Sequence, residues 1–125
     1  MKLNPAVTLI KICCAITLTV APAIAQEISV NSRCCGRVTL QIDSDGQVKG
    51  RYPKQGGTMQ GSIDADGIVT GIWTQPRSDY PCMTAYNGRE AWGHFVIYDI
   101  GGPNMNGYWG YCDTKPSRPF GFMPQ

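Results

Sequence analysis

The chain has 125 residues, with eleven Lys and Arg, nine Asp and Glu, a single His, 15 Gly and six Cys. Lys2 and Lys11 fall in the first 25 residues, so residues 26–125 carry nine basic against nine acidic side chains and a formal charge of zero. A nucleic-acid binder would show a clustered basic excess, and a zinc knuckle would show paired C-x-x-C spacing; the sequence has neither.

Residues 1–25 read as a secretory signal peptide. Lys2 and Lys11 supply positive charge, residues 12–20 are mainly apolar, Pro22 breaks the run, and Ala23-Ile24-Ala25 is a small-x-small cleavage site before Gln26. The apolar run is well short of the roughly 20 residues a membrane span needs, and no other stretch is long enough. Cys13 and Cys14 follow Lys11 and Ile12, where a lipidation signal would have small and apolar residues. The expectation is an exported protein, periplasmic or extracellular, with one β domain over residues 26–125.

Residues 27–30 alternate briefly, as an edge strand would. Residues 36–42 alternate cleanly, with Val38, Leu40 and Ile42 on one face and Arg37, Thr39 and Gln41 on the other. Asp43-Ser44-Asp45-Gly46 is a turn, because Asp tolerates turn conformations and Gly supplies positive φ. Strands follow at 47–53, 58–63 and 68–75, separated by turns at 54–57 and 64–67. Residues 76–89 have no strand period and contain Pro76, Pro81, Cys82 and Asn87-Gly88. A connection this long in a tight meander is functional or tied down. Strands at 90–99 and 105–112 flank a Gly-Pro turn. The tail, 113–125, carries Phe120 and Phe122, placed to pack across an open end or over an outer face.

Two regularities organise these strands. Asp43-x-Asp-Gly-x-Val-x-Gly-x-Tyr52 matches Asp64-x-Asp-Gly-x-Val-x-Gly-x-Trp73 at an offset of 21 residues, a hairpin's length. No glutamate follows in register to complete a calcium loop. An apolar-x-Gly-x-large pattern also recurs, at Val69-Gly71-Trp73, Val48-Gly50-Tyr52, Met59-Gly61-Ile63, Ala91-Gly93-Phe95 and Met105-Gly107-Trp109. Residues i, i+2 and i+4 of a strand share a face, so each copy lays a gap between large side chains. Such gaps admit a ring from the next strand and let a small sheet coil. These features predict an all-β antiparallel meander of about six strands, a small closed or nearly closed barrel stapled by disulfides. Cys34, Cys35, Cys82 and Cys112 make two bonds. A bond between neighbours is disfavoured, so Cys34 and Cys35 are expected to pair with Cys82 and Cys112, in an order left open.

The run Gly36-x-Val-x-Leu, Val48-x-Gly-x-Tyr, Met59-x-Gly-x-Ile, Val69-x-Gly-x-Trp-x-Gln, Trp92-Gly-x-Phe and Gly107-x-Trp-Gly-Tyr resembles a family of small bacterial exported β domains with repeated Gly-aromatic strands. The resemblance spans residues 36–122. That family has no established function, so the resemblance implies fold and export and carries over no site residue. The glycines and aromatics are also similar to those of avidin-like barrels, but the biotin-contacting positions find no match.

No catalytic set or cofactor motif stands out. His94 lies on the outward face, no G-x-S-x-G elbow exists, and Glu90 with Asp99 or Asp79 is a weak glycosidase-like pair because most acids sit in turns. Strand parity sets Phe95 against Trp109, Val96 against Tyr108 and Trp92 against Cys112. Trp92, His94, Val96, Tyr98 and Tyr108 then form an outward patch of the kind that marks a contact site. The expected function is a non-catalytic exported binding module for a protein: an inhibitor or immunity-like partner of an envelope or secreted enzyme, or a homo-oligomer. One alternative is a glycan binder with Trp92, Tyr98 and Tyr108 as its platform. Another is a ligand barrel with Tyr52, Trp73, Phe95 and Trp109 around an interior pocket.

Overall fold

The computed structural model describes residues 24–124, so the expected leader lies almost wholly outside the described residues. Eight strands follow in order: β1 (Ile24–Ser32), β2 (Gly36–Asp43), β3 (Gln47–Tyr52), β4 (Gly57–Ile63), β5 (Val69–Gln75), β6 (Ala91–Tyr98), β7 (Asn106–Trp109) and β8 (Arg118–Pro119). Each pairs with the next in one antiparallel sheet, the expected meander. The count exceeds the expected six because β1 is a full strand and the tail contributes β8. The expected cleavage point falls at a register shift in β1, beyond which Gln26 to Ser32 pair regularly with β2. Among the described residues no helix is long and apolar enough to cross a membrane.

The sheet curls into a half-barrel and does not close, which corrects the expectation of a closed or nearly closed barrel. Two residues of β8, one of them a proline without an N–H, cannot sustain a ladder to β1. Irregular main chain crosses the gap instead. Arg33 N–H donates to the Gly121 carbonyl at 2.9 Å, Cys34 N–H to Phe120 at 3.1 Å and Met123 N–H to Asn31 at 2.9 Å. Phe120 N–H donates the other way, to Gly107 at 3.0 Å.

The concave face holds the core, with Val38, Leu40 and Ile42 of β2 alternating inward as their spacing predicts. Both repeated turns use their first Asp in the same way. Asp43 Oδ1 accepts from the N–H groups of Asp45 (2.9 Å) and Gln47 (3.0 Å), and Asp64 Oδ1 from those of Asp66 (2.9 Å) and Ile68 (3.0 Å). These carboxylates shape hairpins.

The gaps at Gly61 and Gly71 are filled differently from the expectation. Gly61 and Gly71 face each other across β4 and β5, and a Cβ built on Gly71 would collide with the Gln60 carbonyl oxygen and the Gly61 Cα. Main chain, not a neighbouring ring, occupies that space. At Gly93 the expectation holds in part, because a Cβ there would meet the Trp73 indole of β5 as well as the Gly110 carbonyl. At Gly107 the Val96 carbonyl comes first, ahead of the Phe120 ring.

The two disulfides form, but with a different pairing: Cys34 with Cys35, and Cys82 with Cys112. Cys112 N–H donates to the Trp92 carbonyl at 2.8 Å, and the Cys82 sulfur lies 3.3 Å from the same oxygen. Cys82 and Cys112 therefore meet over β6, leaving the neighbours in the β1–β2 turn to each other. Buried Ser32 braces that turn, accepting from Cys35 N–H at 3.2 Å and donating to the Gly36 carbonyl at 2.8 Å. Proteolysis without reductant is expected to release a Cys82–Cys112 linked peptide pair and no free thiol; a peptide joining Cys34 or Cys35 to Cys112 would overturn the pairing.

Candidate functional site

The outward patch is only partly realised. Phe95 faces Trp109 and Val96 faces Tyr108, as parity predicts. Trp92 also turns outward, yet it is only 6 % exposed. The loop over residues 76–89 covers it: the Trp92 indole N–H donates to the Thr84 carbonyl at 2.8 Å, and the Tyr86 ring lies 5.9 Å away. Trp92 is therefore not part of an exposed contact surface, and the cover is this loop, not the tail. Phe120 and Phe122 stack on each other, and Phe120 packs against inward-facing Phe95. His94 and Val96 are half-buried, while Tyr98 and Tyr108 are 38 % exposed each. These four border a shallow groove with Thr70, Ile72 and residues 115–117. His94 Nε2 lies 3.1 Å from Asp113 Oδ1 at the surface, an ion pair when the ring is protonated.

A second concavity, of about 530 Å³, opens at one end of the half-barrel. The hairpin repeat explains its aromatic walls. Strands β3, β5 and β7 run in one direction, so the aromatic residues that close their Gly-x-aromatic copies emerge at the same end of the sheet. Tyr52, Trp73 and Trp109 all line the cleft there, joined by Tyr111, Phe120 and the Cys34–Cys35 bond. Lys54, Gln55, Gln75, Arg77, Ser78 and Asp79 supply its polar lining.

The rings meet edge to face, the arrangement their quadrupoles favour. Ring centroids are 5.9 Å apart for Trp73 and Trp109, 5.1 Å for Trp109 and Tyr111, and 6.0 Å for Trp73 and Tyr111. Trp73 is fixed by its indole N–H, which donates to the Gly110 carbonyl at 3.0 Å. The Trp109 indole N–H is buried without an acceptor in the protein. The Arg118 guanidinium sits 5.7 Å from the Trp109 ring centroid and 5.1 Å from that of Tyr111, within cation–π range.

Burial pushes the Tyr52 phenol above its ordinary value of 10.0, so it stays a protonated donor. The unfolded chain releases that proton at lower pH than the folded one. Stability is therefore intact below the ordinary value and falls as pH rises above it. Urea midpoints measured from about pH 8 to about pH 11 are expected to show this alkaline loss in the wild type and less of it in Tyr52→Phe; equal losses would contradict it.

Of the four residues expected around an interior pocket, the structure brings Tyr52, Trp73 and Trp109 together and leaves Phe95 in the packed core, 1 % exposed. Tyr111, Phe120 and the cysteine pair are additions. Parity from Trp109 would have added Tyr111, and Phe120 comes from the tail expected to pack across an open end. Comparison of the chain with protein-family models, with curated proteins and with solved structures found no match.

Proposed function

We propose that this chain is an exported, non-catalytic binding module that holds a small ligand in the aromatic cleft at the open end of the half-barrel. One observation carries the reading: the aromatic residues of three successive odd-numbered strands converge on one concavity, Tyr52 and Trp73 as buried core residues and Trp109 as a partly buried one packed against them. Its size is within the range of small-molecule sites, and its lining divides between aromatic rings and polar side chains. One disulfide whose cysteines flank β6 and β7, and a second in the β1–β2 turn, suit a rigid scaffold in an oxidising compartment.

The groove beside Tyr98 and Tyr108 supports a second reading, contact with a protein or glycan, because two half-exposed rings adjoin Ile72 and Val96 there. Thermal-shift screening against a metabolite collection separates the two. A compound that raises the wild-type Tm is expected to raise that of Tyr98→Ala and to lose its effect on Tyr111→Leu. The reverse pattern would move the site to the outer groove.

A further inference from the structure

We infer that the ligand of the end cleft is a flat aromatic anion, its ring against Trp109 and Tyr111 and its carboxylate toward Lys54 and Arg77. The inference rests on the cleft reading above and adds the chemistry of the occupant. Residues 26–125 balance nine positive against nine negative side chains, but the cleft does not. Lys54 and Arg77 line it with Asp79 as the one carboxylate, and Arg118 lies over two of its rings. Among the described residues the one ion pair is His94 with Asp113, so these three cations have no protein carboxylate in contact. All three are exposed, with Arg118 held over the Trp109 and Tyr111 rings.

The walls narrow the choice further. A cationic ligand would meet like charge, and a neutral apolar one would make no use of it. Gln55, Gln75, Ser78 and Asp79 also line the cleft and can accept from hydroxyls, so it is Lys54 and Arg77 beside the rings that favour an anion over a sugar. A planar ring can lie among the edge-to-face indoles and phenol while its carboxylate takes charge-assisted hydrogen bonds at the rim.

The test uses three probes with one ring system, followed by calorimetry and ligand-observed NMR: naphthalene-2-carboxylate, naphthalene-2-carboxamide and naphthalen-2-ylmethylammonium. The carboxylate is expected to bind roughly ten-fold tighter than the carboxamide, and the ammonium weakest, with added salt eroding only the carboxylate's advantage. The double variant Lys54→Gln with Arg77→Gln is expected to bring the carboxylate down to the carboxamide's affinity. If the carboxamide or the ammonium binds as tightly as the carboxylate and competes for the cleft, the anion inference is overturned and the cleft reading stands. If none of the three binds a protein shown folded by circular dichroism, the inference is also overturned. The thermal-shift comparison of Tyr98→Ala and Tyr111→Leu then decides the cleft reading separately.

Discussion

Replacing Trp92 by alanine is expected to destabilise the protein by ~3–5 kcal/mol, the usual cost of emptying a large buried aromatic site. The indole is enclosed by the loop over residues 76–89 and its N–H is spent on the Thr84 carbonyl. The variant loses ring contacts and leaves that carbonyl without its donor. For a domain of this size the loss corresponds to a fall in Tm of at least about 12 °C. Tyr98→Ala, on the same outward face but 38 % exposed, is the control and should change stability by no more than ~1 kcal/mol. A wild-type melt for Trp92→Ala would mean that the loop does not clasp the indole in solution.

Gly71→Val is expected to cost ~3 kcal/mol or more. Overpacking is tolerable when a neighbouring side chain can turn away. Here the added carbon meets the Gln60 carbonyl and the Gly61 Cα, so relief requires separating β4 from β5. Thr70→Val, one residue earlier and exposed, should be close to neutral because valine suits a strand. Equal melts for the two variants would show that the sheet can open at this point without penalty.

The strands were legible because their cause is local. Alternation at Val38, Leu40 and Ile42, the two Asp-x-Asp-Gly turns and the offset of 21 residues each state a period, and the ladders obey it. Parity correctly turned Trp92 outward. What parity cannot give is the path of a segment without a period, and residues 76–89 are such a segment; their fold decides whether Trp92 meets solvent. The cysteine pairing failed for the same reason, since Cys82 is carried to Cys112 by that loop. The cleft was half legible. Tyr52, Trp73 and Trp109 follow from the repeat, whereas Phe120 arrives through the Pro-flanked tail and the rim through turns whose geometry no pattern encodes.

Because each ladder joins strands that are neighbours in the chain, the sheet can be built hairpin by hairpin as a polypeptide emerges from its amino-terminal side. The cleft cannot. Tyr52 and Trp73 come early, but Trp109, Tyr111 and Phe120 come late, and it is Phe120 and Gly121 that bond back to the β1–β2 turn. A chain exported through a translocation pore, as proposed above, would thus acquire its sheet progressively and the full walls of the cleft only near the end of transit. A stalled or clipped product would keep most of the sheet and lack Trp109, Tyr111 and Phe120 from the cleft walls.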